Sequence, residues 1–101
     1  ERVDVAGGRV RVFYEYLPHT LRDALHKSAR GKALAKADVL RVAHGVAAAL
    51  RFLHEATPTK PAVVHGDVCT ANVHVALDDG GSVTRVALGD FDVARVVPPR
   101  G

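Results

Sequence analysis

With 101 residues, the chain has room for one domain and, at that size, buries only about two-thirds of its unfolded surface on folding. Fourteen Lys and Arg against eleven Asp and Glu leave a formal charge of +3, spread along the chain instead of gathered on one face, so a nucleic-acid-binding surface is not implied. The single cysteine, Cys69, excludes an internal disulfide and fits a reducing compartment, and no apolar run approaches the roughly 20 residues of a membrane span, nor is a signal peptide visible.

In chain order, residues 3–5 and 10–16 alternate apolar and polar side chains around Gly7-Gly8, which predicts a β-hairpin. Residues 21–26 read as a short helix, followed by a basic, Gly-containing connector from His26-Lys27 to Lys36. Asp38 is a candidate N-cap for a long helix in which Val39, Ala43, Val46, Leu50 and Leu53 recur at three- and four-residue steps and build one apolar stripe. Thr57-Pro58-Thr59-Lys60-Pro61 ends that helix, because proline lacks an amide proton and disfavours helical conformation in the residue before it. Residues 73–77 and 83–88 then pair around Asp78-Asp79-Gly80-Gly81, a strong hairpin signal. The expected fold class is α+β.

The chemistry lies in VVHGDVCTANVHV followed by LGDFDVAR, which set Asp67, Asn72 and Asp90 on two loops flanking the second hairpin. His65, Asp67 and Asn72 fit H-x-D-x-x-x-x-N, and Asp90-Phe91-Asp92 fits D-F-G with its last residue changed. Upstream, VLRVAHGVAAALRFLHEA looks like the long helix before a kinase catalytic loop, and VFYEYLPHTLRDAL like the strand, hinge and short helix before that. On these landmarks, which stand in the family's order, the chain resembles the eukaryotic protein kinase catalytic domain.

The resemblance implies a fragment of a kinase-like fold: residues 1–16 as a small-lobe hairpin, 15–20 as the hinge and 21–101 as the start of the helical lobe. It implies ATP and Mg2+ as ligands, with Asp67 and Asn72 catalytic, and Asn72 and Asp90 holding the metal. The backbones of Glu15 and Leu17 would contact the adenine, with Tyr14 at the gatekeeper position. His65 and Phe91 would stack to position the loops without reacting. A protein substrate and an intracellular location, in the cytoplasm or on the cytoplasmic side of a membrane receptor, follow from the same likeness. The TPTKPAVVHGD lead-in resembles tyrosine-kinase-like Ser/Thr kinases more than tyrosine kinases.

Departures from the family pattern are specific. Gly66 stands at the arginine of H-R-D, which would remove the partner for a phosphorylated activation loop. Cys69 stands where Ser/Thr kinases carry a phosphate-neutralising lysine, and loss of such a charge costs about 3 kcal/mol of transition-state stabilisation. Asp92 replaces a glycine at a position where unusual backbone angles are common. No Gly-rich phosphate loop, lysine strand or A-P-E occurs in these residues, so the chain is expected to be a piece that is inactive by itself. Two other functions are consistent with the motifs: a small-molecule phosphotransferase of the aminoglycoside or choline kinase type, suggested by H-G-D and D-x-D, and a pseudokinase or binding remnant, suggested by Gly66 and Cys69. Metal binding by the six histidines is disfavoured, since none form His-x-x-x-His on a helix.

Overall fold

A computed structural model describes residues 2–6, 9–13, 16–27 and 34–98. Strands β1 (Arg2–Ala6) and β2 (Arg9–Phe13) form the expected antiparallel hairpin, with Val3 opposite Val12. Strand β3 (His19–Thr20) leads directly into helix α1 (Leu21–Lys27). Thr20 caps that helix: its Oγ1 accepts the Asp23 N–H at 3.1 Å, satisfying one of the amides that a helix start leaves without a partner. The 19-residue helix α2 (Lys36–His54) follows, then strand β4 (Ala62–Val64), one 3-10 turn (Thr70–Asn72), strands β5 (Val73–Leu77) and β6 (Val83–Leu88), and strand β7 (Arg95–Val97). The class is α+β, and among the described residues all pairings are antiparallel: β3-β5-β6 form one sheet and β4-β7 another.

Helix α2 starts earlier than the sequence implies. Its N-cap is Ala35, whose carbonyl accepts the amides of Asp38 and Val39, so Asp38 is not the cap but lies within the first turn. Its carboxylate is buried and turned across the helix to accept the Val83 N–H at 3.0 Å. The inward stripe shifts accordingly. Val42 and Leu53 are buried and Val46, Ala49 and Leu50 pack against the core, while Val39 is 50% exposed and Ala43 is also on the surface. The offset has a simple cause: with Asp38 facing the sheet, positions four and seven or eight residues later share its face, and Val39 is rotated off it.

The core joins Ala24 of α1, Val42 and Leu53 of α2, Val63 of β4, Val73 and Val75 of β5, and Val83 and Leu88 of β6. Val63, Val75 and Val83 are fully buried, each worth ~1.5–3 kcal/mol by area removed from water. Helix and sheet approach each other closely at Gly45. A Cβ there would lie 2.6 Å from Val86 Cβ, so glycine is required for the approach although it weakens a helix interior.

The end of α2 is built by a lysine. Thr57 and Lys60 exchange backbone hydrogen bonds of 2.7 and 3.2 Å around Pro58-Thr59, and this tight turn folds the Lys60 side chain back into the protein, where it is 7% exposed. Its Nζ donates to the Leu53 carbonyl at 2.9 Å and the Pro61 carbonyl at 2.7 Å, and lies 5.3 Å from the Phe52 ring centroid. The ammonium thus closes a helix C-terminus, where exposed carbonyls and the dipole both favour a cation. Burial lowers its pKa from 10.5, and the negative charge of Glu55 only partly opposes that shift.

Two stability outcomes follow. Gly45→Ala is expected to cost about 1–3 kcal/mol by overpacking, despite alanine's better helix propensity, and pairing it with Val86→Ala should recover part of the loss; additive losses in urea denaturation would show that the contact is soft. Lys60→Met should cost about 1–3 kcal/mol by stripping two carbonyls of their donor. Because the native ammonium releases its proton before the unfolded one does, the unfolded state binds more protons between the lowered pKa and 10.5. Wild-type stability relative to Lys60→Met must therefore rise with pH across that interval. A difference independent of pH would show that the ammonium is not desolvated.

Candidate active site

Two loops face each other between the paired strands. Residues 65–72 connect β4 to β5 and residues 89–94 connect β6 to β7. Val64 pairs with Arg95 at one end of the loops and Val73 with Leu88 at the other, so antiparallel ladders hold both loops closed at both ends. Val63 of β4, Val73 and Val75 of β5 and Val83, Ala87 and Leu88 of β6 are buried, which anchors the frame in the core, while Val64 and both ends of β7 are exposed.

Within this frame the side chains and backbone form a closed ring of hydrogen bonds. His65, 1% exposed, takes the Asp67 N–H on Nδ1 at 3.1 Å, and its Nε2 lies 2.7 Å from the Gly89 carbonyl. An amide can only donate and a carbonyl only accept, so the ring carries its hydrogen on Nε2. The Gly89 N–H in turn donates to the Asn72 carbonyl at 2.8 Å. Asn72, buried at 6% exposure, returns to the start: its Nδ2 donates to the Asp67 carbonyl at 2.9 Å and to Asp67 Oδ2 at 3.0 Å. The rings of His65 and Phe91 meet edge-on with centroids 4.9 Å apart, as the sequence implied.

Asp90 follows Gly89 with a φ of 55°, the left-handed region that Asp and Asn enter more readily than other side chains. Its carboxylate is on the surface, and Oδ1 lies 3.4 Å from the Asp92 amide. The unusual backbone angle expected at Asp92 therefore falls on Asp90. Asp92 takes up an ordinary turn conformation, closed by the Ala94 amide donating to Phe91 at 3.1 Å. Gly66 has a φ of +85°, and a Cβ there would meet the Val93 carbonyl oxygen at 3.2 Å, so the two loops touch where only glycine is unstrained.

Asp67, Asn72 and Asp90 are thus brought to adjoining loops. Asp67 is exposed, with one oxygen held by Asn72. Cys69 is an exposed free thiol beside them. Leu17 is buried at 5% exposure and Tyr16 is 85% exposed, whereas Tyr14 and Glu15 lie outside the described residues. Gly89 and Lys60 were not found from sequence. Gly89 acts through its backbone alone, which leaves no trace in residue type; Lys60 carried one signal, a basic residue shortly after a helix end.

Residues 3–100 match the family described as protein tyrosine and serine/threonine kinase. Over 91 residues the chain is 32% identical to the kinase and exchange factor for Rac B of Dictyostelium discoideum, covering 90% of this chain and 8% of that protein. It is 36% identical over 93 residues to a proline-rich receptor-like protein kinase of Arabidopsis thaliana, covering 91% of this chain and 12% of the relative. An L-type lectin-domain containing receptor kinase of the same plant is 33% identical over 89 residues, which cover 87% of this chain and 12% of the relative. The chain spans 8–12% of the length of these curated relatives.

Gly66→Ala should cost about 1–2 kcal/mol for a side chain held in left-handed backbone, and the Val93 contact adds to it. Gly80→Ala, whose Cβ would sit 3.5 Å from Asp78 Oδ1 with no such backbone demand, is expected to stay within about 0.5 kcal/mol of wild type. Equal melting temperatures for the two variants would contradict the tight approach at Gly66.

Proposed function

The chain belongs to the protein tyrosine and serine/threonine kinase family, and we propose that it carries the hinge, catalytic loop and metal-binding loop of a domain that transfers phosphate from ATP to protein hydroxyl groups. Its helices and antiparallel hairpins are a fragment of the kinase fold. The observation that carries the reading is the hydrogen-bonded ring joining Asp67, Asn72 and the backbone beside Asp90.

In this reading Asp67 accepts the proton of the substrate hydroxyl. It is exposed to an incoming substrate, and Asn72 restrains its carboxylate through Oδ2, which limits the orientations to be lost on reaction. Because the Asn72 amide nitrogen is committed to Asp67, the amide oxygen is the atom left to act as a ligand. That oxygen and the Asp90 carboxylate are hard donors suited to Mg2+, which takes one or two carboxylates and completes its shell with water and substrate phosphates. Among the described residues no cluster of three or more His, Cys, Asp or Glu could hold a metal. When bound, Mg2+ supplies neutralisation of charge on the phosphate oxygens. The backbone of Leu17 would contact the adenine, and Glu15, assigned the same role from sequence, lies outside the described residues.

Protein Ser/Thr hydroxyls are favoured over Tyr by the TPTKPAVVHGD lead-in. A cytoplasmic location, or the cytoplasmic side of a receptor, agrees with the receptor kinases among the relatives; among the described residues no helix is long and apolar enough to cross a membrane. Cys69 supplies no cation toward the transferred phosphate, so turnover is slow for the family. The 101 residues alone provide only one side of a nucleotide clamp, and activity is assigned to the larger domain.

In the full-length protein, Asp67→Asn should lower turnover by about 10²–10⁴-fold, the range for loss of a general base, while ATP affinity stays within about twofold. Radiolabelled ATP and calorimetric titration measure the two quantities. Turnover equal to wild type would remove Asp67 from the reaction.

A further inference from the structure

Asp38 is a buried carboxylate that phosphoryl transfer leaves unused. It is 6% exposed, its Oδ1 accepts the Val83 N–H at 3.0 Å, and one helical turn later Arg41 Nη1 donates to the Val83 carbonyl. Helix α2 therefore grips both backbone groups of the first residue of β6. That strand continues to Leu88, with a pairing shift at Thr84, and the next two residues are Gly89 and Asp90.

The turn of the hairpin that contains β6, residues 78–82, is held by Asp78, whose Oδ1 accepts the Gly80 and Ser82 amides at 3.0 and 2.9 Å. The hairpin's register is not carried straight along the ladder, because the pairing shifts between Ala76 and Leu77, opposite Arg85 and Val83, and leaves Thr84 as an extra residue. Beyond that shift the side-chain pattern is weak: Val86, Ala87 and Leu88 are consecutive apolar residues, so among them a slip of one position replaces one apolar side chain by another, although at the start of the strand it would set Ser82 or Thr84 in place of the fully buried Val83. A slip of one residue moves the strand by about 3.3 Å. Metal–oxygen bonds to Mg2+ are only about 2.0–2.1 Å long and demand near-ideal geometry, so such a slip would take Asp90 out of reach of a cation held at Asn72.

We propose that Asp38, assisted by Arg41, is a positioning residue of the metal-binding loop: by gripping Val83 it selects the register of β6 that sets Asp90 beside Asn72. Helix α2 serves as a reference outside the hairpin, holding Val83 on the turn side of the shift and packing Gly45 against Val86 on its far side. The proposal rests on the assignment of Asp90 and Asn72 to the metal, and it deepens that assignment by giving the site a third determinant outside both loops.

The test uses the full-length protein, with Mn2+ as a paramagnetic probe of the Mg2+ site. Water-proton relaxation gives its half-saturation in the presence of ATP, and hydrogen exchange follows the β6 amides. Asp38→Ala should raise the Mn2+ half-saturation about tenfold, equivalent to ~1.4 kcal/mol, and release protection at Val83. Asp38→Asn keeps an acceptor oxygen and should stay within about twofold of wild type. Arg41→Met, on an exposed residue, should give a smaller rise of about threefold and covers the case in which Asp38→Ala does not fold. If Asp90→Asn weakens Mn2+ binding but neither Asp38→Ala nor Arg41→Met does, the positioning role is overturned and the metal assignment stands. If Asp90→Asn leaves binding unchanged, the metal assignment fails and takes this proposal with it.

Discussion

Two hydrogen bonds to the backbone of Gly89 hold the candidate site together. One donates from its amide to the Asn72 carbonyl, and the other receives His65 Nε2 on its own carbonyl. Each adds only about 1 kcal/mol net, yet leaving a buried partner unsatisfied costs more than the bond contributes. Cooperation comes from closure: Asp67, His65, Gly89 and Asn72 form one ring, so displacing any member strands the others. Asp90 gains its position by being next in sequence to Gly89, a residue of the second loop bonded through both its amide and its carbonyl.

Helix α2 relates the two loops to one another at longer range. Its first turns hold β6, through Asp38, Arg41 and the close contact of Gly45 with Val86. Its last carbonyls hold Lys60, which stands just before β4 and the loop bearing Asp67. The helix therefore sets the spacing of two strands that do not pair with each other, and its 19 residues act as a strut. This division of labour explains why its inner face contains an aspartate and a glycine among the apolar residues.

Much of this was legible in the sequence. The second hairpin, the short helix and the order of the motifs came from turn residues, periodicity and spacing, all local properties. The His65–Phe91 contact came from family resemblance alone. The N-terminal boundary of α2 did not, because Asp38 is chemically an excellent cap and only the tertiary demand of Val83 pulls it inward. Gly89 was invisible for the opposite reason, since its contribution is entirely main-chain. The backbone strain was assigned to Asp92 by analogy with the family glycine, but among the described non-glycine residues it falls on Asp90, with a φ of 55°.

The grip on Val83 also bears on how the molecule avoids self-recruitment. Strand β6 lies at the rim of its sheet, and a rim strand rich in valine and leucine is a template on which a foreign chain can extend the ladder. The cheapest place to begin such an extension is a residue with both main-chain groups unengaged. At Val83 both are already taken by charged side chains from the helix, so one end of the rim is closed to intruding strands by the same two residues that keep the strand in place.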